Sequence, residues 1–203
     1  MKLLLTGYEP FGGEEVNPSW EAVKTFKSKN INGIDIVVEE MPVAWNKIEQ
    51  KFEEAVKTHN PDFIICVGQA GGRNAVAIER IAVNCANGKD NEGINREEQV
   101  IKENGKEAYL STLPIVKMNK AVKEALIPIY ISNSAGLYLC NYIFYIARHY
   151  IETKGLDIPA GFIHIPYIPE QVAIKDRPNK YSSMDLSLVI KALEEMIKVL
   201  NKK

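Results

Sequence analysis

One cysteine, Cys140, lies where a cysteine could act as a nucleophile. It stands in the stretch SNSAGLYLCNY, where Asn133 and Ser134 could cap a helix and Gly136 allows a tight turn. We therefore expect a helix to begin within a few residues of 136, with Cys140 in its first turn. The unpaired amides and positive dipole end of such a turn favour a thiolate and can receive an oxyanion. A cysteine packed inertly against a sheet fits this position equally well.

A nucleophilic cysteine needs a base, and the sequence contains three histidines. His149 follows Cys140 by nine residues in the same predicted helix, which places it on the opposite face. His59 stands at a predicted helix end, where a solvated surface histidine is expected. His164 lies in GFIHIPYIPEQ, in an apolar strand that ends at Pro166, and active sites of open α/β sheets form at the carboxyl ends of strands. We predict that His164 is the general base.

A third group should orient the imidazole and fix its tautomer. The apolar run NAVAIERIAVN contains Glu79 and Arg80, and buried charges are costly unless they are paired. Pairing of Glu79 with Arg80, or at the surface, would be a purely structural explanation. Together with Cys140 and His164, however, Glu79 is predicted to orient the histidine.

Two glycine-rich stretches, TGYEPFGG and VGQAGGR, each follow a predicted strand. Neither matches a dinucleotide fingerprint or a P-loop, so they are weak candidates for phosphate cradles. Tyr8 and Phe11 instead place two aromatic rings on the first of these loops. The pattern indicates a ligand with a small, flat, apolar group.

The elements needed to position these residues are those of an α/β protein whose sheet is covered on both faces, because Val- and Ile-rich runs alternate with longer amphipathic segments. We predict strands at about 2–7, 35–41, 62–67, 76–84, 128–132 and 160–165. Helices are predicted at about 18–29, 44–58, 114–125, 137–153 and 185–201. The polar, Gly- and Asn-rich stretch at about 85–108 is predicted to be a long loop or a mobile hairpin.

The whole chain has the composition of an ordinary globular protein. Its 203 residues predict a single catalytic domain over 1–203, and a net charge of −1 gives no reason to expect nucleic acid or a membrane surface as partner. The N-terminal residues lack a secretory signal pattern, and no apolar run is long enough to span a membrane. Three cysteines without CxxC spacing argue against disulfides and a zinc site. These features predict a cytoplasmic protein.

Five motifs, in order and in spacing, resemble the type I pyroglutamyl peptidases, also called pyrrolidone carboxyl peptidases. They are TGYEPFGGEEVNPSWEA, VGQAGGR, AIERIAVN, ISNSAGLYLCNY and GFIHIPYIPEQ. The resemblance implies a cysteine exopeptidase that removes N-terminal pyroglutamyl residues from peptides, without a metal or cofactor. It also implies a single-domain three-layer α/β/α sandwich with a mostly parallel, mixed sheet, and a cytosolic homotetramer.

Residue by residue, the resemblance assigns Cys140 as nucleophile, His164 as base and Glu79 as the orienting carboxylate. Phe11 matches an aromatic wall of the lactam pocket, and Gln69 lies in the loop that lines it. Tyr8 stands where many family members have Phe, which keeps a ring but adds a hydroxyl that needs a partner.

The stretch CANGKDNEG departs further from the family, which usually has a slightly longer segment with an arginine at this point. Lys89 is a poor substitute, because it cannot make the bidentate contacts of Arg. Two alternatives stay open, one based on the glycine loops and one on this altered segment. The chain could be a phosphate- or nucleotide-binding module that uses only its glycine loops, or a family member that binds pyroglutamyl peptides without cleaving them efficiently.

Overall fold

The computed structural model of the protein describes residues 1–201, and a seven-stranded sheet forms its centre. In chain order the strands of this sheet are β1 (Lys2–Tyr8), β2 (Asn30–Ile31), β3 (Ile34–Met41), β4 (Phe63–Gln69), β5 (Val76–Glu79), β10 (Ile129–Ser132) and β11 (Ala160–Ile165). Their spatial order is β10-β5-β11-β4-β1-β3-β2. Four neighbouring pairs are parallel, while β5–β11 and β2–β3 are antiparallel. The predicted mostly parallel, mixed sheet is confirmed.

Helices cover both faces of this sheet. They are α1 (Pro18–Lys24), α2 (Ile48–His59), α3 (Ile115–Glu124), α4 (Leu139–Thr153), α5 (Pro169–Ala173) and α6 (Leu186–Lys198), with a 3₁₀ turn at Pro178–Lys180. One hydrophobic core joins the sheet to α1, α3 and α6, and a second joins its other face to α2 and α4. The result is the three-layer α/β/α sandwich that the sequence predicted. Over residues 1–201, none of the helices is long and apolar enough to cross a membrane.

Local sequence explains why these elements form. The inner strands β1 and β4 are mostly apolar and are buried on both faces beyond their first residues, as parallel strands under two helical layers must be. Helix α1 begins where the Asn17 side chain accepts a hydrogen bond from the Ser19 amide at 3.0 Å, with Pro18 at the first helical position. Helix α2 buries one stripe of residues at helical spacing. It ends at His59 and is followed by its C-cap residue Asn60, which adopts a left-handed conformation.

The prediction of one strand over 76–84 was wrong, because the structure has two strands there, β5 and a second one after Arg80. The chain leaves the central sheet at Arg80, and the residues beyond it form β6 (Ile81–Val83), which pairs with β9 (Ala108–Leu110) in a separate two-stranded sheet. The Arg80 side chain is exposed and its Nε donates to the Asn133 side chain at 2.8 Å. The apolar pattern continues across this break, so periodicity alone could not locate it.

The segment predicted as a long loop or hairpin at 85–108 contains a hairpin, formed by β7 (Ala86–Lys89) and β8 (Asn95–Gln99). It packs on Trp45, whose backbone amide donates to Asp90 at 2.8 Å and whose ring lies under Arg96. Helix ends also differ from the predictions. The largest difference is in α1, which stops at Lys24 rather than near 29, because the chain turns there and Ser28 has a positive φ of 61°.

Candidate active site

Cys140 lies in the first turn of α4, as predicted, because this helix begins at Leu139. The predicted caps were wrong. The N-cap position is Tyr138, which gives no side-chain hydrogen bond to the first amides. Ser134 instead closes a turn by accepting from the Gly136 amide at 3.2 Å, and the Asn133 side chain is held by Arg80. The first amides of α4 are therefore left without a side-chain acceptor.

His164 and Glu79 meet on neighbouring strands. In the antiparallel pairing of β5 with β11, Glu79 is opposite Phe162, so His164 is its diagonal neighbour on the same face of the sheet. His164 Nδ1 donates to Glu79 Oε1 at 2.7 Å, and the two side chains are 4% and 0% exposed. Because buried polar side chains need hydrogen-bond partners, His164 and Glu79 satisfy each other and act as a pair.

Arg73 is a second partner of Glu79 that the sequence analysis did not single out. Its Nη1 donates to Glu79 Oε1 at 2.6 Å, and its Nη2 donates to the Ser134 carbonyl at 3.3 Å. The predicted alternative, a pair between Glu79 and Arg80, is wrong because Arg80 points to Asn133. The available signal was Arg73 itself, a charged residue at the end of the glycine-rich motif VGQAGGR, in the loop that follows β4.

The protonation states of the three groups follow from their surroundings. Burial raises the pKa of Glu79, but the His164 hydrogen bond and charge, together with Arg73, outweigh it, so the net pKa is below the ordinary value. Burial lowers the pKa of His164, and its bond to Glu79 opposes this without reversing it. Since the ionised carboxylate can only accept, Nδ1 carries the imidazole proton and Nε2 is left as a base.

The position of Cys140 at the start of a helix predicted an ionised thiolate, but the surroundings of its side chain favour the neutral thiol. Burial raises the pKa of its thiol to about 12, the negative charge of Glu79 acts in the same direction, and Arg73 opposes both. At neutral pH the sulfur is therefore a thiol. It requires a base that removes its proton as it attacks.

Gly68 leaves room for the Cys140 side chain next to the strand that carries His164. In the parallel β4–β11 pairing, Gly68 is the register partner of His164. A Cβ atom at position 68 would lie 2.8 Å from Cys140 Sγ and 2.7 Å from the ring of Phe162. The absent side chain thus leaves room for the sulfur above the strand, beside the histidine.

A cavity of about 350 Å³ opens at this end of the sheet. All the residues predicted to form the site line it, except Glu79, which lies behind His164. The lining includes Tyr8, Phe11, Gln69, Arg73, Cys140 and His164. The carboxyl ends of strands thus meet the N-terminus of α4 where ligand sites of open α/β sheets form.

The amide of Gln69 has a fixed orientation. Gln171 accepts a hydrogen bond from the Ile168 amide at 3.2 Å through its Oε1, which turns its Nε2 toward Gln69. That Nε2 donates to Gln69 Oε1 at 2.9 Å. Because its oxygen is already engaged, Gln69 can offer its own amide protons to a ligand in the cavity.

The other candidate residues lie elsewhere. His149 is hydrogen-bonded to the Tyr109 hydroxyl at 3.0 Å, and His59 pairs with Glu39 at 2.8 Å instead of being freely solvated. Lys89, the doubtful substitute for the arginine of the family, is not among the residues that line the cavity in the described chain. Residues 1–201 contain no group of three or more His, Cys, Asp or Glu side chains placed to hold a metal ion.

The chain is similar along its whole length to known peptidases. The family model described as pyroglutamyl peptidase matches residues 1–203. The pyrrolidone-carboxylate peptidase of Thermococcus onnurineus is 44% identical over 200 residues, covering 98% of each chain. That of Thermosipho africanus is 45% identical over 204 residues, covering 100% of this chain and 98% of its own.

Solved structures show the same fold. A variant of pyrrolidone carboxyl peptidase from Pyrococcus furiosus superposes with a TM-score of 0.94 at 42% identity, covering 98% of both chains. Pyroglutamyl peptidase I from Bacillus amyloliquefaciens gives a TM-score of 0.94 at 42% identity, covering 98% of this chain and 96% of its own.

The fold and the cavity define a hydrolase of the cysteine peptidase class. Within that class, the chain belongs to the pyroglutamyl peptidase family.

Proposed function

We propose that this enzyme removes N-terminal pyroglutamyl residues from peptides, with Cys140 as nucleophile, His164 as general base and Glu79 as its orienting group. The observation that carries the proposal is the buried bond between His164 Nδ1 and Glu79 Oε1, next to a cavity that also exposes Cys140. That bond holds the imidazole in the tautomer whose Nε2 can accept a proton. The whole chain, 1–203, acts as one catalytic domain in this proposal.

The reaction follows from these protonation states. His164 takes the thiol proton while Cys140 Sγ bonds to the carbonyl carbon that joins pyroglutamate to the next residue. Amides at the start of α4 stabilise the oxyanion, and His164 then donates its proton to the leaving amine as the C–N bond breaks. Water, deprotonated by the same histidine, attacks the thioester carbonyl carbon. The C–S bond then breaks, pyroglutamate is released, and the histidine returns the proton to Cys140 Sγ.

The cavity supports recognition of a flat, neutral lactam. Tyr8 and Phe11 supply aromatic walls, and the oriented Gln69 amide supplies a donor for the ring carbonyl. A site built to hydrogen-bond such groups strongly rejects analogues that lack them. The proposed substrates are therefore peptides with a pyroglutamyl N-terminus.

The test is turnover of a pyroglutamyl coumarin amide by the purified chain and by Cys140→Ser. We expect the wild type to release coumarin and the variant to lose nearly all activity with an unchanged melting temperature, because oxygen is a weaker nucleophile beside the same base. Cys85→Ser is the matched control, since Cys85 is also partly exposed but lies outside the cavity lining. Substantial activity in Cys140→Ser would contradict the mechanism.

A second candidate function is binding of pyroglutamyl peptides without efficient cleavage, favoured by the missing family arginine in the segment around Lys89. If the wild-type protein binds 2-pyrrolidone but does not release coumarin from the pyroglutamyl substrate, the result would support this binding function over the peptidase. Arg73 already supplies a guanidinium at the cavity, so we favour the peptidase.

A homotetramer in the cytoplasm is also proposed, on the family resemblance alone. Size-exclusion chromatography with light scattering tests the assembly. A mass near four times that of one chain is expected, and a monomer would contradict it.

A further inference from the structure

The hydroxyl group of Tyr8 contacts the peptide unit that carries the nucleophile. Tyr8 ends β1, is only 3% exposed, and its Oη donates to the carbonyl oxygen of Leu139 at 2.7 Å. That carbonyl and the amide N–H of Cys140 belong to the same planar peptide group. A residue on a distant strand therefore restrains the plane from which the Cys140 amide projects.

The Cys140 amide is a natural donor for an oxyanion. It occupies the second position of α4, where backbone amides have no acceptor within the helix. The N-cap residue Tyr138 provides no side-chain acceptor either. An acyl group attached to Cys140 Sγ would hold its oxygen close to this amide, as in other enzymes whose nucleophile contributes its own N–H.

A hydrogen bond to one end of a peptide group also strengthens its other end. Donation to the Leu139 carbonyl polarises the peptide unit and makes the Cys140 N–H a better donor, since chains of hydrogen bonds polarise one another. Burial raises the pKa of Tyr8 well above its ordinary value, so its hydroxyl stays protonated and can donate throughout the working pH range.

We propose that Tyr8 is a positioning residue whose hydroxyl, through the Leu139 carbonyl, orients and polarises the oxyanion-binding amide of Cys140. This inference rests on the proposed peptidase mechanism and adds to it. The aromatic ring of Tyr8 lines the cavity and would contact the substrate, whereas the hydroxyl would act on the transition state. The two roles can be separated, because Phe keeps the ring and removes only the oxygen.

The experiment compares Tyr8→Phe with Tyr145→Phe. Tyr145 is a matched control, since it is equally buried, lies on α4 itself, and donates its hydroxyl to the Lys106 carbonyl at the same distance of 2.7 Å. For both variants we would measure kcat and KM on a pyroglutamyl coumarin amide, the melting temperature, and the Ki of two inhibitors.

The inhibitors distinguish oxyanion binding from lactam binding. Pyroglutamyl aldehyde bonds through its carbonyl carbon to Cys140 Sγ, the thiol proton passes to His164, and the former carbonyl oxygen becomes the anion. The lactam 2-pyrrolidone binds without forming an anion. For Tyr8→Phe we expect kcat to fall about three- to tenfold, the size expected from one hydrogen bond, with the aldehyde Ki rising by a similar factor. KM and the 2-pyrrolidone Ki should stay constant, and Tyr145→Phe should change none of these values.

Two results would overturn the inference. One is that Tyr8→Phe matches Tyr145→Phe in kcat and aldehyde Ki. The other is that it weakens 2-pyrrolidone as much as the aldehyde, which would mean that the hydroxyl only shapes the pocket. Failure of the proposed function is a different observation, namely that the wild type itself does not cleave the substrate.

Discussion

Gly68 and His164 are register partners on adjacent parallel strands, and the missing side chain of the glycine is what leaves room for Cys140 Sγ. Gly68→Ala would place a methyl group 2.8 Å from that sulfur, closer than nonbonded carbon and sulfur can approach. The same methyl group would lie 2.7 Å from the Phe162 ring, so the sulfur and the ring must shift from their present positions. We expect kcat to fall by about a hundredfold or more, because a displacement near 1 Å can cost that much.

A control for this variant comes from the same region of the sheet. Gly161→Ala on β11 would collide with Ser111 and Leu113 instead of the active site. It should lower the melting temperature yet keep kcat per folded molecule, whereas Gly68→Ala should lose kcat even where circular dichroism shows it folded. Near-normal kcat in folded Gly68→Ala would show that the sulfur position is not set by this contact.

The pH dependence of kcat/KM should report His164. The imidazole works as a base only when neutral, so activity falls as pH drops through its pKa. Because burial lowers that pKa, the acid limb should have its midpoint below about 6.5, the ordinary histidine value. A stopped rate assay from pH 4.5 to 8 measures it, and a midpoint above 7 would contradict the assignment.

Two substitutions should move this acid limb in opposite directions. Glu79 raises the pKa of His164 and Arg73 lowers it. Glu79→Gln should therefore shift the limb to lower pH, with kcat reduced about a hundredfold or more by loss of the orienting carboxylate. Arg73→Met should shift it to higher pH. Arg80→Met is the control, because Arg80 is exposed and bonds to Asn133 instead. Shifts of equal sign in the first two variants would refute this electrostatic arrangement.

Alkylation of Cys140 should keep accelerating at alkaline pH. With its pKa raised to about 12, the thiolate fraction of the free enzyme grows about tenfold per pH unit between pH 7 and 9. Peptide mapping after brief iodoacetamide treatment measures the rate at each pH, with partly exposed Cys85 as an internal reference and buried Cys66 expected to stay unlabelled. A rate for Cys140 that levels off below pH 8 would mean that the resting enzyme holds a thiolate.

Much of this site could be predicted because its chemistry depends on local patterns. Cys140 stands beside helix-start residues, His164 sits in an apolar strand before a proline, and Glu79 is a charge inside an apolar run. Buried polar groups require partners, and this requirement reduced the number of candidate catalytic residues. The same reasoning predicted a sheet between two helical layers, since apolar runs without alternation must be covered on both faces.

What the sequence could not provide was the order of the strands and the path of the loops. The bond between Glu79 and His164 exists because β11 inserts between β4 and β5, a pairing between distant segments that no local pattern encodes. Arg73 contacts Glu79 because the backbone path of the glycine-rich loop places it there, and this path could not be read from the sequence. The break at Arg80 was missed because the apolar residues continue past it into a different sheet.

Substrate selectivity tests the cavity rather than the nucleophile. Pyroglutamate is a neutral lactam with an N–H donor and a carbonyl acceptor, whereas an N-terminal proline has the same ring size, a charged amine and no ring carbonyl. Among residues 1–201, the lining includes no Asp or Glu to pair with that charge, and it includes the cation Arg73. Burying the unpaired ammonium should cost several kcal/mol, and leaving the Gln69 donor without an acceptor adds about 1 to 3 kcal/mol.

Both penalties act in the same direction, so kcat/KM for a pyroglutamyl amide should exceed that for the prolyl amide by roughly a thousandfold or more. An open-chain glutaminyl amide, which also carries a free ammonium, should have a kcat/KM that is lower by a similar factor. The measurement compares the three amides with one fluorescent leaving group. In Gln69→Leu the missing donor should lower the rate for the pyroglutamyl substrate while leaving the prolyl rate nearly unchanged, so the preference should narrow. Equal rates for pyroglutamyl and prolyl substrates in the wild type would show that this cavity does not recognise the lactam.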